Sequence, residues 1–201
     1  MSGAFPTSPG FRSLNFQDNR PVLVNQTLSG KKSARLIGSQ YFSFSVGMPP
    51  LTQSEAQSIF AFLQKQKGGF ENFTIQHPTD NLGSNRTQTD ILVNSSHTVG
   101  DASIALDGFD ASTTGVLKAG DLIKFANHTK VYMVQSDIDS NASGECTVLI
   151  SPAIVAALSD NEAVTVNKPS FTVYLSSNEI MYTTSVSGLY SISFDVREVV
   201  V

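Results

Sequence analysis

The sequence predicts a mainly β protein, built as an antiparallel β-sandwich with one α-helix and an inserted small β-barrel or sandwich domain. Three observations support this fold class. Short segments in which apolar and polar residues alternate recur along the chain, as in strands with one buried face. A single helical pattern occupies about residues 53–66. Residues 86–168 contain ten acidic and five basic side chains, against seven and eight in the rest, which indicates two separate bodies.

The composition limits the class of protein and of partner. Hydrophobic residues make up 40% of the 201 residues, so the bulk of the chain is not disordered. The net charge of −4 gives no basic field for nucleic acid. No apolar run reaches the roughly 18 residues of a membrane span, and the first residues lack the pattern of a signal peptide. We therefore expect no nucleic-acid partner, no membrane partner and synthesis in a cytoplasm.

The first fifty residues predict strands rather than helices. Residues 1–20, rich in Gly, Pro, Ser and Asn, are expected to pack as an irregular segment on the domain or on a neighbouring subunit. Residues 22–28 (VLVNQTL) predict a strand, and residues 29–32 (SGKK) its turn. Residues 34–46 predict one further strand. Its apolar face carries Leu36, Phe42, Phe44 and Val46.

The helix at about 53–66 has local signals at both ends. Thr52 and Glu55 have the spacing of a capping box, and two glycines follow the last turn, where a left-handed residue ends many helices. We expect the helix to lie on a sheet and to lead at once into a strand, GFENFTI (69–75). Its apolar stripe consists of Ala56, Ile59, Phe60 and Leu63.

The middle of the chain predicts a separate module of short strands. A polar stretch of fourteen residues, 77–90, marks the boundary before it. Six short strands separated by turns are typical of a small barrel or sandwich. The six strands are predicted over 91–93, 102–108, 115–126, 130–135, 145–150 and 163–166.

The last thirty residues return to the pattern of the first eighty. The final predicted strand, 189–199, alternates as residues 41–46 do, so we predict that these two strands share a sheet. Two more strands are predicted at 171–175 and 179–184. The shared sheet defines a split sandwich domain, with an acidic β domain inserted between its halves. The predicted domains are 1–85 plus 168–201 for the sandwich and 86–167 for the insert.

No arrangement of residues predicts a catalytic, cofactor or metal site. The three histidines lie in predicted turns without ligand spacing, and a solvated position is expected for each. Cys146 is expected to be a buried structural thiol, because no basic residue neighbours it. Asp137, Asp139 and Asn141 match the start of a calcium loop, but the required glycine and bidentate glutamate are missing. An acidic hairpin loop is the preferred interpretation there.

The order of the parts resembles that of bacteriophage distal tail proteins. The resemblance lies in the strand YFSFSV (41–46), the prolines after it, the helix that leads through glycines into GFENF, and the final strand LYSISFDVREVV (189–200). In that family a β-sandwich carries such a helix, and a second β domain is attached to the sandwich or inserted in it.

The resemblance implies a non-enzymatic structural protein of the virion, without cofactors, made in the host cytoplasm. Such a chain forms a homo-oligomeric ring, commonly a hexamer, that links the tail tube to the tip, hub or fibres. The resemblance also implies that the helix and the strand after it help to set the ring contacts, at Phe60, Phe70 and Phe73.

Two other functions are open at this point. One is a carbohydrate- or receptor-binding β module of a phage tail, in which residues 86–168 contact a host surface. The 13 Phe, five Tyr and absence of Trp are more typical of cores and subunit interfaces than of sugar sites. The other is an enzyme whose catalytic groups come together only in the folded chain.

Overall fold

The structure is a computed structural model that describes residues 2–200, and it is mainly β with one α-helix. The predicted fold class is confirmed. In chain order the elements are β1 (Ser13–Asn19), β2 (Val22–Gln26), β3 (Lys32–Leu36), β4 (Tyr41–Gly47), α1 (Gln53–Lys65), β5 (Phe73–Gln76), β6 (Leu92–Val93), β7 (Ser103–Asp107), β8 (Leu122–Phe125), β9 (Tyr132–Val134), β10 (Cys146–Ser151), β11 (Val164–Thr165), β12 (Ser170–Leu175), β13 (Tyr182–Thr184) and β14 (Tyr190–Glu198).

The described residues form two compact units. The first unit contains residues 2–74 and Val173–Val200, and the second contains Ile75–Thr172. Strands β5 and β12 include residues on both sides of these limits. The division into two functional domains remains a prediction.

A six-stranded sheet organises the first unit. Its strand order is β1-β4-β14-β12-β5, with β13 also paired to β14. The predicted pairing of the early and final strands is confirmed, since β4 lies antiparallel to β14 with Val46 opposite Phe194. The irregular segment predicted for residues 1–20 is wrong in part: β1 lies within it and pairs with β4. Strand β1 forms because apolar and polar residues alternate over a short stretch. The alternation brings the Phe16 ring onto the Phe42 ring, with the two centroids 4.7 Å apart.

Helix α1 packs its predicted stripe against this sheet, and Ala56, Ile59 and Leu63 are buried. The capping box is confirmed. The Thr52 amide and hydroxyl donate to the Glu55 carboxylate at 2.9 and 2.7 Å. Both hydrogen bonds lower the pKa of Glu55, and the bond from the Thr52 hydroxyl has the larger effect. No helix between residues 2 and 200 is long and apolar enough to cross a membrane.

The second unit is a nearly closed barrel, one of the two forms predicted for it. Its strand order is β11-β8-β9-β10-β7-β6. The two end strands meet where Leu92 bridges Ala163 and the Val164 amide donates to the Ile91 carbonyl at 2.9 Å. Alternation explains the core, because each strand sends every second side chain inward. In β10 these buried residues are Cys146, Val148 and Ile150.

Candidate functional site: two exposed apolar surfaces

The first surface is a two-stranded ribbon of residues 20–40, which we call the arm. It continues the β1–β4 pair, since Asn19 lies opposite Tyr41 and, beyond Pro21, Val22 lies opposite Leu36. Strands β2 and β3 form a sheet of their own, and all ten of their residues are exposed. An isolated hairpin is at best marginally stable in water, and the exposed residues of the arm add little burial to the first unit.

One face of the arm is apolar. Directly opposed residues of an antiparallel pair point to the same side. The shared face therefore carries Val22 beside Leu36 and Val24 beside Ala34. Leu28, at the turn, is fully exposed. These side chains supply an apolar strip and tip that the first unit itself leaves uncovered.

The sequence did not predict the arm as a separate element. The single strand expected over 34–46 is wrong, because the chain leaves the sheet between Leu36 and Tyr41. Leu36, expected in the core, is 72% exposed. The run VLV at 22–24 is the sequence signal that could have indicated the arm. It lacks the alternation of apolar and polar residues that a strand with one buried face shows.

The arm is also basic. Residues 20–54 contain Arg20, Lys31, Lys32 and Arg35 and no acidic residue. The Arg20 guanidinium pairs with the Asp18 carboxylate at 2.8 Å. The other three side chains lie on the strands and turn of the arm.

The second surface is a groove of about 180 Å³ between α1 and the hairpin formed by β13 and β14. Aromatic contacts hold its walls. The Phe60 ring lies edge-to-face on Tyr182 at 5.1 Å, and Tyr182 lies 5.6 Å from Tyr190. The lining consists of Ala56, Gln57, Phe60, Ala61, Gln64, Tyr182 and Tyr190. Exposed Met181, Val186 and Leu189 lie on the same hairpin, so the apolar surface extends beyond the groove.

The three predicted contact residues lie in different environments. Phe60 is half-buried and lines the groove. Phe70 is 78% exposed, and its ring lies 5.8 Å from the Lys67 ammonium. Phe73 is fully buried, with its ring in contact with Phe5 and Phe62. Phe60 and Phe70 are therefore open to a partner in this conformation, whereas Phe73 belongs to the core.

The solvated position expected for every histidine is wrong for two of the three. The His97 side chain is 13% exposed, and its Nε2 accepts a hydrogen bond from the Ala105 amide at 3.2 Å. His128 is 4% exposed. Its turn folds the ring back onto Phe125, and its Nδ1 lies 2.7 Å from the Tyr132 hydroxyl. Burial lowers the pKa of His128, opposed by Glu162 and by the backbone of Ala156 and Ala157.

The candidate calcium-loop residues bind other parts of the protein. Asp137 forms an ion pair with Lys118 at 2.9 Å, and Asp139 accepts a hydrogen bond from the Gly115 amide at 2.7 Å. The Asn141 side-chain oxygen accepts from the amides of Ser143 and Glu145, as in a tight hairpin loop. Over the range 2–200 no group of three or more His, Cys, Asp or Glu is placed to hold a metal.

Cys146 is buried, and burial raises the pKa of its thiol to about 12. The predicted burial of this thiol is confirmed, and its structural role stays a prediction, in keeping with the low nucleophilicity of a protonated thiol.

Two comparisons with known proteins agree with this picture. Residues 84–171, which include the whole barrel, match the family described as distal tail protein pb9, B domain. The chain is also 25% identical to the distal tail protein pb9 of Escherichia phage T5, over 94% of this chain and 92% of that protein. The resemblance predicted from the sequence is thereby confirmed: the chain is similar to a phage distal tail protein over nearly its whole length, and its barrel matches the family of that protein's B domain.

Proposed function

We propose that the protein is a non-enzymatic adaptor that assembles into a closed ring of identical copies, six in number, between the tail tube and the tip, hub or fibres. The first unit supplies the contacts between copies. The inserted acidic unit faces neighbouring tail proteins. The arm is the observation that carries this proposal.

The arm supports self-association because its exposure is costly for a single chain. Its apolar strip, Val22, Val24 and Leu36, is open to water, although burying such side chains stabilises a protein by about 1.5–3 kcal/mol each. Unpaired strand edges also favour association with another chain.

Two different apolar surfaces favour a ring over a symmetric dimer. A dimer with twofold symmetry uses the same patch on both subunits, whereas a head-to-tail contact joins two unlike patches and closes into a ring when the rotation permits. The arm and the groove are unlike patches on one unit. The T5 relative is a distal tail protein, and its name is in keeping with a part of the tail end.

Light scattering on the purified protein at increasing concentration tests the proposal. We expect a mass near six times the 21.5 kDa of the single chain, and ring-shaped particles by electron microscopy. A mass that stays at one chain at every concentration would contradict it.

A pair of matched variants links the ring to the arm. Val24→Asp places a charge on the apolar face and should abolish the ring, because the contact would have to bury that charge. Asn25→Asp adds a similar charge one residue along, on the opposite face, and should leave assembly intact. Both variants should keep the melting temperature of the single chain, since the arm lies outside the core.

A further inference from the structure

Residues 155–157 of the second unit form a short span between two fixed points, Ile154 and Leu158. The side chains at both fixed points are buried in the barrel. Their backbone amides donate to carbonyls at the two ends of the 97–101 turn, at 2.9 and 3.0 Å. The span between them, which we call the flap, can therefore move while its two ends stay in place.

Two hydrogen bonds hold the flap on the segment that carries the buried His128. The Val155 amide donates to the Tyr132 hydroxyl at 3.2 Å, and the same hydroxyl lies 2.7 Å from His128 Nδ1. The Asn127 side-chain amide donates to the Ala157 carbonyl at 3.1 Å. Through Tyr132, the position of the flap is linked to one ring nitrogen of His128.

The other ring nitrogen of His128 is where a proton is costly. Nε2 is buried and makes no hydrogen bond to any atom of residues 2–200, although the backbone of Ala156 and Ala157 lies close enough to favour a charged ring. A protonated imidazole carries an N–H on both nitrogens, and a buried charged group without its hydrogen bonds is strongly destabilising. Moving the flap aside exposes Nε2 to water and removes this cost.

We propose that protonation of His128 opens the flap. Residues 155–157 then lift away from Tyr132 and Asn127, while Ile154 and Leu158 stay in the barrel. The second unit thus changes its surface as the medium becomes acidic. This change takes place within one copy and does not depend on the ring proposed above.

The charged groups near His128 set the direction of the effect. The Glu162 carboxylate, which accepts from the Asn127 amide at 2.7 Å, favours a protonated ring. Lys130 is buried two residues along the chain and brings a second basic group to the same segment. Burial lowers the pKa of His128 and outweighs the opposing effects of Glu162 and of the flap backbone. A ring open to water takes up the proton more readily, so acid favours the open flap.

His97 provides a comparison on the same side of the barrel. Its backbone pairs with Leu158, and its Nε2 accepts from the Ala105 amide. The Asp101 carboxylate lies 3.7 Å from its Nδ1. A positive charge on this ring has a carboxylate beside it, so its protonation does not require the flap to move.

Hydrogen exchange of backbone amides, measured by mass spectrometry at pH 7.5 and 5.5, tests the flap. Each rate is compared with that of an unstructured chain at the same pH. We expect the Val155 amide to be at least about tenfold less protected than the amides of β10 at both pH values, as in a local opening. Its protection should fall by a further roughly three- to tenfold at pH 5.5, because the open form binds the proton at the ordinary pKa of 6.5 and the closed form does so only at lower pH.

Equal protection of Val155 and β10 would show that only the whole unit opens, and would overturn the inference. Protection of Val155 that does not change with pH would overturn it as well. Both measurements use the parent chain, so they decide the question even if a variant at position 128 does not fold.

Three single variants identify the histidine that responds. His128→Gln should reduce the pH effect on the Val155 amide to less than about twofold, because glutamine does not titrate. His97→Gln and His77→Gln should keep the effect. His77 is the matched control for a half-buried ring, since its Nδ1 accepts from the Thr79 amide at 3.3 Å away from the flap. An effect that survives in His128→Gln, or that is lost in His97→Gln, would contradict the inference.

Discussion

The Glu198 carboxylate accepts a hydrogen bond from the backbone amide of Phe42 at 3.0 Å, although the two residues are 156 positions apart and both are buried. Phe42 is the second residue of β4, and Glu198 is the last residue of β14. Their hydrogen bond extends the ladder between these strands, at the point where backbone pairing between them ends with Arg197 opposite Ser43. A buried charged side chain thus ties the early and late parts of the chain into one sheet.

The first prediction concerns this bond. Glu198→Ala should lower the free energy of unfolding by about 1–3 kcal/mol, because the buried Phe42 amide loses its acceptor. Glu198→Gln keeps an oxygen in place and should have the smaller effect. Urea unfolding followed by circular dichroism measures both. Equal losses would mean that the side-chain volume of Glu198, rather than this hydrogen bond, is what matters.

The second prediction concerns Asp121, a buried carboxylate of the second unit. It accepts hydrogen bonds from the amides of Leu82, Gly83 and Lys118 at 2.7, 3.0 and 2.8 Å. Asp121→Ala leaves three donors without this acceptor and should destabilise the unit by roughly 3 kcal/mol or more. Asp121→Asn should be intermediate, because its amide group presents hydrogens where the backbone also donates.

Exposed Asp90 is the control for that experiment. Its carboxylate accepts from the neighbouring Thr89 hydroxyl, so Asp90→Ala should change the unfolding free energy by less than about 0.5 kcal/mol. A comparable loss at both positions would show that charge, rather than the bonds to the 82–83 segment, determines stability.

Elements whose signals are local were predictable from the sequence. Helix α1 begins where the capping box of Thr52 and Glu55 places it, because cap and stripe depend only on residues four or fewer apart. The β4–β14 pairing was predictable because both strands alternate in the same way and their buried faces need a common core. A small barrel or sandwich followed from the number and spacing of the short strands, and the choice between the two did not.

The functional surfaces depend on packing that alternation does not encode. The pattern of Val22 and Val24 indicates a face that needs cover, but not whether the cover is its own chain or another. The groove exists because Tyr182 and Phe60, far apart in sequence, meet where β13 lies beside α1. His128 is buried because its turn folds inward, which no spacing rule predicts.

The third prediction is a pH dependence of the second unit. Burial holds the pKa of His128 below its ordinary value of 6.5. The unfolded chain therefore binds a proton as the pH falls through 6.5, whereas the folded chain does so only at lower pH. The free energy of unfolding therefore keeps its full value above pH 6.5 and decreases as the pH falls below 6.5. The lowered carboxyl pKa values of Asp80 and Asp137 act only at more acidic pH.

Melting temperatures at pH 7.5 and 5.5 test this dependence. His128→Gln should lose less stability between the two pH values than the parent, whatever its stability at pH 7.5. Tyr132→Phe removes the hydroxyl partner but keeps the ring buried, so its pH dependence should remain. An unchanged difference in His128→Gln would assign the effect to half-buried His77, whose pKa burial also lowers.

The fourth prediction uses Cys146 as a reporter. A buried thiol with a pKa of about 12 should not react with an aromatic disulfide reagent at pH 8 in the folded protein. In denaturant it should react at once. Leu149→Cys adds a second thiol at a position 47% exposed on the outward side of the same strand, and one thiol per chain should then react without denaturant. Rapid labelling of the parent would indicate that the barrel opens at this strand.

The last prediction concerns the backbone after α1. Gly68 has φ +67°, and a Cβ there would lie 2.7 Å from the Asn178 side-chain oxygen and 3.2 Å from the Asn178 backbone. Gly188 has a similar φ of +76° with no heavy atom within 4 Å. Gly188→Ala should therefore cost only the left-handed conformation, about 1–2 kcal/mol, and Gly68→Ala should cost more. Adding Asn178→Ala to each variant isolates the side-chain clash in urea unfolding. It should bring the Gly68→Ala effect part of the way toward that of Gly188→Ala, since the close approach to the backbone of residue 178 remains, and leave the Gly188→Ala effect as it was.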